Sequence, residues 1–200
     1  MSTRTRPRAA VAAAATAVAL SLAGLTSCEL LAGQVPLPPP GPTTTSTPAE
    51  TDQERTIRLD KEATEKAYTA TNTEGTRLAR AGGASKPTKI LNDNADGIYL
   101  EVQMKGLRFL KSNGYRADRA SRTSVTANGG WSAKEIGLTA CEDASEVRLL
   151  DKSGKEVRKD RPKRFVQTLT ATKVDGRWKI TDVDSKIVKT FRNEGGCSEL

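Results

Sequence analysis

Apolar and polar positions follow a helical period in the first half of the folded region and a period of two in the second. Thr51-Asp52-Gln53-Glu54 opens the first periodic stretch. A threonine with a glutamate three residues on is a capping box, each side chain serving an amide that the first helical turn leaves unpaired. Asp52 and Glu54 also suit the positive end of a helix dipole. Leu59, Ala63, Ala67 and Ala70 follow at spacings of four, four and three, which predicts one apolar stripe along a long helix. The pattern weakens near Gly75 and ends by Gly82-Gly83. Lys86-Pro87 opens a short segment through Leu91 with room for one helical turn. A second long helix is predicted from about Ala95 to Ser112, with Ile98, Val102 and Phe109 near one stripe and Leu100, Met104 and Leu107 widening it. Asn113-Gly114 then supplies a left-handed stop.

Beyond Tyr115 the period becomes two. Arg119–Ala127 and Trp131–Cys141 flank Asn128-Gly129-Gly130, a hairpin signal. In the second of these strands Ile136, Leu138 and Ala140 point one way and Cys141 the other. Glu146–Leu150 reads as a third strand, followed by the turn Asp151-Lys152-Ser153-Gly154. Phe165–Val174 reads as a fourth, and Asp175-Gly176 turns it into Arg177–Asp184, where Trp178 and Ile180 share a face. Helices first and an antiparallel meander afterwards predict an α+β fold with helices packed on a sheet of four to six strands.

The stretch before Thr51 has a different character. Arg4, Arg6 and Arg8 precede an alanine-rich apolar run from Ala9 to Leu25, and Leu25-Thr26-Ser27-Cys28 closes it. A positive start, an apolar middle and small residues at the end form an export signal. The closing tetrapeptide resembles the lipobox of bacterial lipoproteins, which implies a diacylated Cys28 at the mature N-terminus. An uncleaved anchor, for which the alanine-rich run is short and weakly apolar, and a plainly cleaved secretory signal are the alternatives. Residues 29–50 alternate Pro36, Pro38, Pro39, Pro40, Pro42 and Pro48 with Thr43, Thr44, Thr45, Ser46 and Thr47. Proline fixes φ and removes donors, so this stretch favours an extended spacer of roughly 70 Å at about 3.1 Å per residue. The organisation expected is therefore a signal peptide at 1–27, a lipidated cysteine and tether at 28–50, and a folded domain at 51–200.

All eight aromatic residues lie at or beyond Tyr68, which confines the material for a core to that domain. Residues 51–200 hold 29 Lys and Arg against 22 Asp and Glu, a balance that favours anionic surroundings. The chain has no histidine. Ser-His-Asp and Cys-His catalysis and every histidine metal site are thereby excluded. No motif implies a metal or a cofactor. With Cys28 lipidated, Cys141 and Cys197 form an even pair in an oxidising setting. A bridge between them would close a loop of roughly 57 residues and contribute about 4 kcal/mol in the loop-entropy model. Two free thiols or a redox pair are the alternatives, and no C-x-x-C spacing supports the latter.

Three stretches carry a family resemblance: Ala95-Asp96-Gly97-Ile98-Tyr99-Leu100, Leu138-Thr139-Ala140-Cys141-Glu142-Asp143, and Asp175-Gly176-Arg177-Trp178-Lys179-Ile180. With them the domain resembles the cone-shaped superfamily of nuclear transport factor 2, SnoaL-like cyclases and ketosteroid isomerase, and in particular its small actinobacterial envelope proteins. The resemblance implies a curved sheet wrapped around helices, with a pocket at the open end of the cone that is catalytic in some members and a plain cavity in others. Isomerase chemistry in that superfamily uses a carboxylate base and an oxyanion hole that includes a tyrosine. Asp182, in phase with Trp178 and Ile180, and Glu101 are the acids placed to reach such a pocket, with Tyr68 or Tyr99 supplying a hydroxyl. No motif here matches the catalytic signature, and as plain structure these are a strand-end aspartate, a solvated glutamate and packed tyrosines. Tyr99, Trp131, Trp178 and Asp182 are the candidate pocket residues. For the tryptophans, filling the core of a small sheet is the simpler expectation.

Lys152, Lys155, Arg158, Lys159, Arg161, Lys163 and Arg164 make a basic segment before the fourth strand. A solvated hairpin loop is the simpler expectation; near an anionic membrane surface each cation would contribute about 1 kcal/mol. The segment lacks interleaved aromatics, which argues against nucleic acid as a partner. The reading that results is a lipoprotein on the extracytoplasmic face of the cell membrane, held there by its lipid. Its domain would act as a non-enzymatic binding or accessory module for an envelope protein or lipid. The alternatives are a small isomerase- or cyclase-type enzyme acting on a hydrophobic substrate, and a structural domain adhering to anionic wall material.

Overall fold

The computed structural model describes residues 49–191 together with Glu194 and Cys197. The expected signal peptide, the lipidation at Cys28 and nearly all of the tether lie outside the described residues. Three helices come first: α1 (Asp52–Arg80), α2 (Lys89–Asn94) and α3 (Gly97–Asn113). Seven strands follow: β1 (Arg116–Ala117), β2 (Arg122–Thr126), β3 (Glu135–Asp143), β4 (Leu149–Leu150), β5 (Glu156–Val157), β6 (Arg164–Val174) and β7 (Arg177–Ile187). They form two antiparallel sheets rather than one meander. The main sheet has the order β2-β3-β6-β7, and β1-β4-β5 make a small second sheet. The fold is α+β, helices packed on antiparallel sheets. Among the described residues no helix is long and apolar enough to cross a membrane.

Local chemistry sets the helix ends. The Thr51 backbone N–H donates to Glu54 Oε2 at 2.8 Å, and the Glu54 N–H donates back to Thr51 Oγ1 at 3.2 Å. Gly114 ends α3 in the left-handed region at φ 66°, where a side chain is costly. The expected apolar stripe of α1 is displaced: Leu59 is 51% exposed, and the buried face runs through Thr64, Ala67, Tyr68, Thr71, Glu74 and Leu78. Thr64 and Thr71 can be buried because their hydroxyls donate to the Lys61 and Ala67 carbonyls, which removes the desolvation penalty.

The faces of α3 are likewise exchanged. Ile98, Val102 and Phe109 are 55%, 50% and 38% exposed, while Tyr99, Met104, Leu107 and Leu110 face inward. Tyr68, Tyr99, Ile136, Leu138, Leu169 and Ile180 meet in the main core between α1, α3 and the sheet. Full burial of each such side chain contributes about 1.5–3 kcal/mol.

Ile136, Leu138 and Ala140 point into that core, as alternation predicts, and Cys141 lies buried on the opposite face. There it bonds Cys197, with Cα atoms 5.7 Å apart, under Phe191 and against Val166 and Val188. The expected third strand shrinks to β4, which pairs with β1 and β5 instead of the main sheet. Asp175 and Gly176 turn β6 into β7 with φ of 50° and 75°, the signature of a tight hairpin with two left-handed residues. A bulge then interrupts the pair: Ala171 faces Ile180, but Thr170 faces Asp182. Thr181 is the extra residue, so the faces invert beyond it.

Candidate functional site

A cavity of about 490 Å³ opens between α1, α3, β3 and the loops that carry β1, β4 and β5. Its size falls within the roughly 300–1,000 Å³ of small-molecule sites. α3 contributes Gln103, Gly106, Leu107, Phe109 and Leu110, and α1 contributes Asn72, Gly75, Thr76 and Ala79. Ala117, Ala144, Val147, Leu149, Pro162 and Phe165 complete an apolar lining opposite. The two helical glycines leave the space. A Cβ built on Gly106 meets nothing within 4 Å, and one on Gly75 meets only the Gln103 side chain, at 3.5 Å.

Three arginines reach this cavity, each in a different state. Arg161 is fixed: its guanidinium donates to the Val147 carbonyl at 2.5 Å and to the Ala144 carbonyl at 3.3 Å. Arg119 lies 3.4 Å from the Asp118 carboxylate and 3.6 Å from that of Glu146. Arg158 stacks 5.3 Å above the Phe109 ring and holds a left-handed backbone, φ 52°, a conformation that costs a non-glycine residue on the order of 1 kcal/mol. Arg158 thus joins the basic loop to α3 across the cavity rim. Arg164 turns away and binds Asp143 at 3.2 Å. Lys152, Lys155, Lys159 and Lys163 are exposed, the solvated part of the basic segment.

Glu142, on β3, is the acid in the lining. Its charge is felt by two buried tyrosines behind it. Burial pushes the Tyr99 hydroxyl well above its ordinary range, the Glu142 charge adds to the rise, and a hydrogen bond with Gln103 moderates it. Tyr68 is raised in the same direction by burial, then by Tyr99 and Glu142. Both tyrosines are therefore neutral, and both are core residues rather than parts of the cavity surface.

The other sequence candidates sit elsewhere. Asp182 is exposed, because the Thr181 bulge turns it outward, and its Oδ1 accepts from the Val183 N–H at 2.8 Å. Glu101 is exposed on α3. Trp131 and Trp178 do not line the cavity; their indole N–H groups donate to the two oxygens of Asp60, at 3.3 and 2.8 Å. Lys173 adds an ion pair to Asp60 at 3.4 Å. Burial alone would raise the Asp60 carboxyl, yet these donors, Trp178 first, hold it below the usual aspartate value. The cavity residues Asn72, Gln103, Leu110 and Glu142 carry no local signal, since only tertiary packing brings them together.

Beside this cavity lies a second space of about 690 Å³, under the C-terminal half of α1. Thr73, Arg77, Arg80, Arg116, Asp118 and Thr123 give it a polar lining. Both forks of Arg77 are held by Glu74, at 2.7 and 2.8 Å. Partial burial raises the Asp118 carboxyl, but the Arg148 backbone N–H and guanidinium bring it down to about 2. Among the described residues no group of three or more Cys, Asp or Glu is arranged to hold a metal ion.

No family model matches the chain, and no curated protein matches it. Among solved structures it is similar to the intermembrane space region of chloroplast protein ARC6, at 14% identity over 64% of this chain and 98% of that one, with a TM-score of 0.46. Kfla4162 from Kribbella flavida is similar at 13% identity over 66% and 91% of the two chains, TM-score 0.33. A protein of unknown function with a cystatin-like fold from Nostoc punctiforme gives 13% identity over 70% and 95%, TM-score 0.28. Similarities of this degree carry no inference about ligand, partner or activity.

Proposed function

We propose that this chain is a membrane-anchored extracytoplasmic binding module of the SnoaL-like type, tethered by Cys28 and residues 28–50. The cavity of about 490 Å³ is the observation that supports the binding half of this reading. Its apolar walls suit a ligand with a hydrophobic body, and Gln103, Glu142 and three arginines among its lining supply polar groups that could orient one. The order of residues from Arg4 to Cys28 supports the anchor half. A binding role is favoured over catalysis because the two tyrosines are core residues and neither Asp182 nor Glu101 reaches the cavity.

Glu142 keeps one enzymatic reading in view. It is a carboxylate in an apolar-lined cavity with neutral tyrosines behind it, the kind of environment in which a general base acts on a hydrophobic substrate. The two readings separate experimentally. Full-length protein purified from membranes should carry a small molecule detectable by mass spectrometry of an organic extract. Gly106→Trp, which grows into the open space, should lose that molecule, while Glu142→Gln should retain it unchanged. Equal loading of wild type and Gly106→Trp would contradict the binding reading. A molecule recovered chemically altered from wild type, yet unaltered from Glu142→Gln, would favour the enzyme.

A further inference from the structure

We infer that the apolar cavity and the arginine-lined space beside it form one cleft for an anionic amphiphile, with the apolar body in the first and a phosphate-type oxyanion head in the second. The inference rests on the reading of the cavity as a ligand site. Asn72, Thr76, Ala117 and Ser121 line both spaces, so the two adjoin along these four residues. The two sides of that boundary differ in chemistry. Leu107, Phe109 and Leu110 wall the inner side. The outer side presents the Thr73 and Thr123 hydroxyls with the Arg80 and Arg116 guanidiniums.

Charge accounting singles out the last two. Arg77 is committed to Glu74 through both forks. Asp118, the carboxylate on this wall, is committed to Arg148 at 2.9 Å and to Arg119 at 3.4 Å. Arg80 and Arg116 are exposed and form no ion pair among the described residues. Two uncompensated guanidiniums beside hydroxyl donors match an oxyanion, whose several acceptor atoms can each be bonded in the planar-fork geometry of arginine. A head bound there would direct an attached chain past Thr76 and Ala117 into the apolar side. Each methylene buried on that side would tighten binding by up to about fourfold.

The test is calorimetric titration of the full chain, held in phosphatidylcholine nanodiscs, with hexyl phosphate, with hexanol and with inorganic phosphate. Hexyl phosphate should bind at least tenfold more tightly than either fragment. Replacing both arginines, Arg80→Gln with Arg116→Gln, should weaken hexyl phosphate about tenfold and leave hexanol unchanged. Gly106→Trp should weaken both chain-bearing probes and leave inorganic phosphate unchanged. Thermal melting of each variant checks that the fold is intact. Hexanol and hexyl phosphate binding alike, with no effect of the arginine pair, would overturn the head assignment while the cavity reading stood. Inorganic phosphate binding as tightly as hexyl phosphate would make this a site for free oxyanion and overturn the amphiphile. Absence of any hexanol or hexyl phosphate binding would overturn the inference and the cavity reading together.

Discussion

Asp60 holds together the end of the core farthest in sequence from its own helix. One carboxylate accepts from Trp131, 71 residues on, and from Trp178, 118 residues on, and pairs with Lys173. Replacing it with alanine leaves two part-buried indole donors without an acceptor. Asp60→Ala should cost about 2 kcal/mol in chemical denaturation and alter the tryptophan emission of the folded state. Asp60, Asp118 and Asp143 are all held below the ordinary aspartate value. Their contribution is complete above the unfolded value near 4 and is lost as pH falls through the folded values, about 2 for Asp118. Unfolding midpoints followed against pH should therefore fall between about pH 4 and pH 2; an earlier loss beginning near pH 6 would contradict these assignments. None of this was legible in the sequence. A helical aspartate beside Leu59 looks solvated until strands a hundred residues away bring two indoles to it.

Element by element, what is encoded locally reads directly from the chain. The Thr51–Glu54 capping box, the Gly114 stop and the Asp175-Gly176 hairpin each depend on a few adjacent residues, and each occurs where the spacing places it. The faces of the helices are a different matter. α3 carries apolar residues nearly all round, so periodicity admits two orientations. Packing selects the one that buries Tyr99, Met104, Leu107 and Leu110. Asp182 shows the same limit in a strand, since one extra residue at Thr181 inverts every assignment beyond it. Gly106 within α3 and Gly114 at its C-terminal cap should then respond in opposite senses. Gly114→Ala forces a side chain into φ 66° and should cost about 1 kcal/mol. Gly106→Ala, in open space within the helix, should gain up to about 1 kcal/mol. Thermal or urea unfolding measures both.

For the molecule as a whole, one observed covalent feature, the disulfide, and one proposed, the lipid on Cys28, set the expectations. The Cys141–Cys197 bridge ties the C-terminal segment under β3 and β6. Cys141→Ser with Cys197→Ser should lower stability by about 2–5 kcal/mol. Thiol labelling of denatured, unreduced protein should find neither sulfur reactive, and two reactive thiols would refute the bridge in the mature protein. Replacing Cys28 with serine should release or mislocalise the protein with its fold intact, as cell fractionation and circular dichroism would show. The pairing of these cysteines was legible from their number once Cys28 was set aside for lipid. The cavity was not, because its walls come from two helices, both sheets and three loops that only the finished fold assembles. The most direct test of the cavity as a ligand site is titration of full-length protein with a hydrophobic fluorescent probe, wild type beside Gly106→Trp. Saturable binding to wild type, weakened at least tenfold in a variant that melts at or above the wild-type temperature, is the predicted result. Identical titration curves for the two proteins would contradict it.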